Sequence, residues 1–351
     1  ETKVTKLLFD VSKGKPKVIG LEWTTSGVSK AKAFMLRENG EIILCLGAIH
    51  SPHLLIKSGI GPKTELQKHN IETIVENPAV GENLQDHFLA PVMYRARKAV
   101  SQNDCNPSSL QGFVNTSEGG QIILMDGSMG VPAISRTVGE ILFGSWRQKY
   151  SLVDSTACAV DHFMEYFSSL SFVKSQLQQQ FGFQAALMVP ESRGTVKVSE
   201  KDVEKVEVNP NYLSSDSDER VLLDTFLKAR EIANAPGLDH WRSFSISPAP
   251  WIGSPLDPNS TDGDRRQDKE RILAHIRRFG SGYYHPCGTC GMGAVVDSNL
   301  EVIGVIGLRV ADASVIPRIP RVPIAATAMM IGAKCADIIA QKDRTNPASK
   351  L

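Results

Sequence analysis

Glu41-Ile42-Ile43-Leu44-Cys45-Leu46-Gly47-Ala48-Ile49-His50-Ser51-Pro52-His53-Leu54-Leu55-Ile56-Lys57-Ser58-Gly59-Ile60-Gly61 is the stretch on which the fold turns. Residues 41–46 form a nearly continuous apolar run, the pattern of a strand buried on both faces. Ser51 is a good N-cap and Pro52 suits a first helical position, so a helix is expected from there, closed by Gly59. A strand passing into a helix through small residues is the geometry in which α/β proteins take nucleotide-like ligands.

Upstream, residues 3–9 and 17–24 read as two strands joined by a turn. Downstream, a helix is expected over Lys63–His69 and a strand over Glu72–Glu76. Asn77 to His87 follows, rich in turn formers and polar groups, and reads as a connecting loop or a cofactor-covering segment. Residues 99–140 are irregular and polar, and 154–180 look helical. Phe181–Val189 and Gly194–Val198 are expected to be adjacent antiparallel strands connected by Pro190-Glu191-Ser192-Arg193. Residues 216–234 carry an amphipathic stripe of Val221, Leu222, Phe226, Leu227 and Ile232, and 268–279 is a further helix. Glu301–Ile303 and Leu308–Val310 are short strand-like runs. Pro323 to Ala340 is a long helix of small and apolar residues. Strand hairpins crossed by helices in the middle of the chain imply an antiparallel-sheet domain distinct from the first.

The 351 residues suffice for about two domains. A formal net charge of +1, with 42% hydrophobic and 22% charged residues, argues against a nucleic-acid surface as the main function. No apolar run reaches the ~18 residues of a membrane span. The chain opens on Glu1, so an N-terminal segment is expected to have been removed or to lie outside it. Six cysteines are scattered, which fits a reducing compartment. Only Cys287 and Cys290 form a C-x-x-C. Zinc would need a second ligand pair at short spacing, so no metal site is expected; a redox pair or two packed thiols remain. Ser349-Lys350-Leu351 reads as a peroxisomal address, with a cytoplasmic location as the alternative.

The chemistry concentrates in Tyr283-Tyr284-His285-Pro286-Cys287-Gly288-Thr289-Cys290-Gly291-Met292-Gly293. One histidine stands beside a proline and a run of small residues. About twenty residues later Gly307-Leu308-Arg309-Val310-Ala311-Asp312-Ala313-Ser314 ends a strand on a carboxylate.

Taken together these segments carry a resemblance. Gly47 to Gly61 resembles the second signature of the glucose–methanol–choline (GMC) oxidoreductases, and Val80 to His87 the loop that follows it. Pro190-Glu191-Ser192-Arg193-Gly194-Thr195-Val196 is similar to the start of their C-terminal segment. His285-Pro286 with Gly288-Thr289-Cys290 and Met292-Gly293 resembles their active-site motif, and Asp312-Ala313-Ser314 their flavin-contacting strand end. The motifs run in the family's order, and the choline-dehydrogenase-like branch is the nearest in pattern.

The resemblance implies an α/β plus α+β fold: a discontinuous, incomplete FAD-binding Rossmann-like domain over 1–88 and 281–342, an antiparallel-sheet substrate domain over 89–280, and a flexible tail over 343–351. It implies FAD as cofactor and a small-molecule alcohol as substrate, oxidised by hydride transfer to flavin N5 with His285 as general base. Histidine suits that task because its unperturbed pKa of ~6.5 is near working pH. It also places Val4 at the adenine and Ala48 near the dinucleotide, with plain strand packing as the alternative for both. Asp312 and Ala313 fall near the pyrophosphate and ribityl chain, or Asp312 caps the next turn.

Two departures are visible. No G-x-G-x-x-G occurs in the chain, so the phosphate cradle is expected in a missing N-terminal segment. The family's polar residue at the start of the last helix aligns near Ala325, with Thr327 the nearest side-chain substitute. A truncated, catalytically silent product with a structural or binding role, and a GMC-fold lyase or decarboxylase, are the competing readings.

Overall fold

A computed structural model describes residues 2–12, 14–25, 32–37, 40–97, 113–115, 119–125, 180–247 and 262–345. The expected irregular stretch 99–140 and helix 154–180 lie wholly or largely outside these residues, as does Ser349-Lys350-Leu351. The expected tail from 343 begins no earlier than 346, because the last helix runs to Thr345.

The chain divides into two compact units. One comprises Glu1–His87, Val189–Ser214 and Tyr284–Leu351; the other comprises Phe88–Met188 and Ser215–Tyr283. Segment 189–214 therefore sits in the first unit rather than in the 89–280 domain. Reciprocal hydrogen bonds between Leu84 and Gly194 and a bond from the Val196 amide to the Gly81 carbonyl tie it there.

In the first unit, β1 (Thr2–Asp10), β2 (Lys17–Thr25) and β3 (Lys32–Met35) form an antiparallel meander. β4 (Ile42–Leu44) leads into α1 (Gly47–Lys57). β5 (Ile60–Gly61), α2 (Lys63–Lys68) and β6 (Val75–Glu76) follow, β5 and β6 pairing in parallel. β4 is only half buried: Ile42 and Leu44 face the core, while Ile43 is 41% exposed, so the strand is not covered on both faces. The core gathers Leu7, Val18, Leu55, Ile60, Leu66 and Val310.

α1 starts five residues earlier than its Ser51-Pro52 signature suggests. Gly47 takes φ +78 and gives its N–H to Asp312 Oδ2 at 2.9 Å. Ser51 Oγ accepts the Leu46 N–H at 3.1 Å and donates to Asp312 Oδ2 at 2.6 Å. A tertiary carboxylate thus takes over the role that local sequence assigned to Ser51. Pro52 lies inside the helix and has no N–H for the Ala48 carbonyl one turn earlier. That carbonyl accepts Thr289 Oγ–H at 2.6 Å instead. Gly59, at φ +92, follows the helix end as expected.

The second unit is built on β7 (Phe88–Ala96), β8 (Phe113–Asn115), β9 (Gly120–Met125) and β10 (Gln180–Leu187). β11 (Thr195–Val198) and β12 (Val206–Asn209) belong to the first unit and pair with each other. The strand over 181–189 therefore does not pair with 194–198. β10 instead lies between β7 and β9. α3 (Asp216–Ala233), capped by Ser215, covers the sheet with Leu222 and Phe226 fully buried. β13 (Arg242–Ser247), α4 (Asp262–Phe279) and β14 (Ser281–Gly282) complete the unit, both strands pairing with β7. Pro91 in β7 has no amide to offer, and it falls between the segments paired by β14 and β13.

His275 on α4 is 4% exposed, its ring centroid 4.7 Å from that of Phe279 and 5.8 Å from that of Phe226. Burial drives its pKa down to about 4, helped by the charge of Arg230 and opposed by a hydrogen bond to the Pro91 backbone. The folded chain then refuses a proton that the unfolded chain binds between pH 6.5 and about 4. Stability is full above that window and is lost as pH falls through it, by up to about 3 kcal/mol. Urea midpoints measured across the window should show this loss for wild type and a flatter profile for His275→Leu. Equal slopes would refute it.

After β14 the chain returns to the first unit. β15 (Leu308–Val310) pairs in parallel with β4. α5 (Ala325–Thr345) buries Ile331 and Cys335 in the core. Among the described residues no helix is long and apolar enough to cross a membrane.

Candidate active site

His285 lies in a loop held on both sides. Cys287 exchanges two backbone hydrogen bonds with Gln85, at 2.9 and 3.0 Å, and the Gly81 N–H bonds the Thr289 carbonyl at 2.9 Å. On the other side Gly288, Cys290 and Met292 donate in register to the carbonyls of Ala313, Ser314 and Val315, at 3.3, 2.8 and 2.9 Å. The small residues of this loop are what allow two backbones to approach it. Gly288 shows the requirement most sharply: φ is +94, and a Cβ there would stand 2.4 Å from the Asn83 carbonyl oxygen. Gly288→Ala is expected to cost at least about 2 kcal/mol, read as a lowered urea midpoint; an unchanged midpoint would show that the two loops can separate freely.

The His285 backbone N–H donates to Asp86 Oδ1 at 2.8 Å, and Asp86 Oδ2 accepts the Tyr212 hydroxyl at 2.6 Å. Burial and the Asp86 charge raise the Tyr212 pKa well above the tyrosine range, which keeps it a donor. Tyr284 adopts φ +59 although its side chain is exposed. A left-handed aromatic residue costs energy, and here it turns the chain so that His285 enters the loop. The His285 ring is half-buried, and burial holds its pKa below the usual 6.5. The ring is therefore neutral at pH 7, the state a proton acceptor needs. His285 Nδ1 lies 2.8 Å from Nδ1 of His87, the rings meeting edge to face at 88°. His87 is fully buried, and its Nε2 lies 3.0 Å from the Pro320 carbonyl oxygen.

Asp312 is a hub of the fold. Its Oδ1 caps the turn at 313–315 through the Ser314 N–H at 2.8 Å, and its Oδ2 anchors the start of α1. Both carboxylate oxygens thus serve the protein, and Ala313, half-buried beside it, presents backbone. Ala48 is buried at the start of α1. Val4 lines a cleft of about 790 Å³ with Leu46, His50, His53 and Lys57. Thr327 is half-buried in the first turn of α5, and Ala325 at the head of that helix is exposed. Ala48 and Ala313 are each hydrogen-bonded to the His285 loop, Asp312 joins their neighbours Gly47 and Ser314, and Val4 lines the cleft beside α1. His87 is the residue whose role sequence reasoning missed; its signal was the Asp86-His87 pair closing a polar loop.

Cys287 and Cys290 are both fully buried. Burial pushes the Cys287 thiol up to about 12 and the Cys290 thiol higher still. Both remain protonated packing groups, without the thiolate that redox exchange requires.

Two family models described as GMC oxidoreductase match the chain, one over residues 1–89 and the other over 190–332. The chain belongs to the GMC oxidoreductase family. Choline oxidase from Arthrobacter globiformis is 32% identical over 313 residues, covering 87% of this chain and 49% of that protein. Oxygen-dependent choline dehydrogenase from Escherichia coli is 32% identical over 337 residues, covering 93% and 54%. Among solved structures, pyridoxine 4-oxidase from Mesorbium loti superposes with TM-score 0.69 at 24% identity, covering 96% of this chain and 56% of that one. An FAD-dependent oxidoreductase from Chaetomium thermophilum gives 0.66 at 25% identity, covering 98% and 61%. The α/β GMC fold is therefore that of this chain, which spans about half the length of the curated relatives it matches.

The family implies FAD, and the first unit offers features that suit part of it. Asp312 Oδ2 takes the Gly47 N–H at the start of α1, and no acidic residue lies in the first turn of the helix itself. A Cβ at Gly47 would project into open space. The cleft at Val4, with apolar Leu46 and Leu54 among its walls, suits an adenine.

Proposed function

We propose that the chain forms part of an FAD-dependent oxidoreductase acting on the CH–OH group of a small alcohol, with His285 as the general base. The observation that carries this reading is a neutral histidine held at its backbone by Asp86 and at its ring by His87. Val4, the start of α1 with Ala48, and the backbone at Ala313 would hold the cofactor. When bound, FAD supplies the hydride acceptor. The chain's own contribution is to take the hydroxyl proton on His285, with the charge that develops on the ring buried beside His87. Thr327 is the nearest side-chain polar group to the aligned position of Ala325. The relatives' names direct the substrate search to choline first, then to pyridoxine.

The test is the visible spectrum of the purified chain titrated with FAD, followed by anaerobic addition of each alcohol in the dark. Bound flavin absorbance bleached by one alcohol class supports the proposal. The exposed Ala325, where no side-chain hydrogen bond can be made, favours a second reading: a silent structural homologue. A chain that retains no flavin absorbance once free FAD has been removed would support that reading and overturn the first.

A further inference from the structure

We propose that His87 is a positioning residue that sets the tautomer of His285, so that Nε2 is the atom that accepts the substrate proton. The inference rests on the reading of His285 as a base. The Pro320 carbonyl can only accept, so His87 Nε2, 3.0 Å away, carries a hydrogen. His87 is 0% exposed, and a second proton on its ring would place a charge in the interior. Its Nδ1 is therefore a lone pair. His285 Nδ1 lies 2.8 Å from that lone pair and must donate to it. The lone pair of His285 is thereby assigned to Nε2. Without this partner either nitrogen of a neutral imidazole can carry the hydrogen, and molecules protonated at Nε2 have no lone pair where the base needs one.

The surroundings are rigid enough to impose the choice. Gln85 Nε2–H donates to the Pro317 carbonyl at 3.2 Å and Gln85 Oε1 accepts the Ile319 N–H at 3.2 Å, fixing the segment that carries the Pro320 carbonyl. Asp86, one residue before His87, holds the His285 backbone at 2.8 Å. The two imidazoles are thus placed by adjacent residues of one loop. This is the arrangement in which a hydrogen bond at one ring nitrogen decides the chemistry of the other.

Nitrogen NMR of the full chain with ¹⁵N-labelled histidine rings tests this without any turnover, using His285→Ala and His87→Leu spectra for assignment. The expected wild-type result is a protonated Nδ1 and an unprotonated Nε2 for His285, with the reverse pattern for His87. His87→Asn keeps an acceptor oxygen near the Nδ1 position and should preserve the His285 tautomer. His87→Leu should mix the two tautomers and lower kcat by about 10- to 100-fold, with KM little changed. An Nε2-protonated His285 in the wild type overturns the proposal, as does an unmixed tautomer in folded His87→Leu. If His87→Leu does not fold, the wild-type spectrum decides alone. A correct tautomer with no loss of turnover in His285→Ala would refute the general-base reading while leaving the tautomer assignment intact.

Discussion

Replacement of His285 by alanine should lower alcohol oxidation by the FAD-loaded chain by about 10²- to 10⁴-fold, the range that general base catalysis supplies. The loop is held by the backbone bonds of residues 287–292 and by the Asp86 contact to the His285 amide, and that amide survives in the variant. His285→Ala is therefore expected to fold, to bind alcohol with little change in KM and to fail in kcat. Because burial lowers the His285 pKa below 6.5, the base form is complete at neutral pH, and the acid limb of the wild-type kcat profile should fall below pH 6.5. The variant should lose that limb. Pre-steady-state bleaching of the bound flavin across pH measures both effects. A variant within threefold of wild type at neutral pH would remove His285 from the chemistry.

The parts of the fold that were legible in the sequence are those set by neighbours along the chain. β1 and β2, α2, α3 and the stop of α1 at Gly59 all follow from local periodicity and breakers. The parts that were not legible depend on contacts between distant residues. The start of α1 was misplaced because Asp312, 265 residues from Gly47, captures amides that a local N-cap would otherwise serve. β11 alternates and β10 is an apolar run, both read as strands, and nothing local states that β11 pairs with β12 rather than β10. His285-Pro286 and its small neighbours mark out the candidate base. The ring contact with His87 is not marked, since the two histidines are 198 residues apart, and the Asp86-His87 pair marks a polar loop without saying what it faces. The thiols of Cys287 and Cys290 show the converse. Their C-x-x-C spacing leaves a redox pair open beside two packed thiols, and their burial favours packing.

Arg309 supports the largest stability effect expected in the first unit. It sits on β15, three residues before Asp312, with its side chain only 1% exposed. Its Nε donates to Glu41 Oε2 at 2.7 Å and its Nη2 to Glu301 Oε1 at 2.6 Å, while Nη1 bonds the Asn299 carbonyl. Lys342 from α5 joins Glu41 at 2.6 Å. Burial opposes the charge on Glu41, but Arg309 and Lys342 overcome it and hold that carboxyl below its ordinary pKa. The order of damage follows from which charge is left behind. In Arg309→Met the abandoned carboxylates are 20% and 36% exposed; water and Lys342 partly compensate them, and the loss should be about 2–3 kcal/mol. In Glu41→Gln/Glu301→Gln a guanidinium stays almost wholly buried with no anion beside it, and the loss should reach about 3–5 kcal/mol. The double variant should therefore be less stable than Arg309→Met, and adding Arg309→Met to it should restore part of the loss. The amides of Ile42 and Ala311, which bond across the β4–β15 pair, should lose hydrogen-exchange protection in the same order. Equal stability of the two variants would mean that water reaches the guanidinium and that Arg309 is not the buried charge on which this strand pair, and with it the Asp312 anchor of α1, depends.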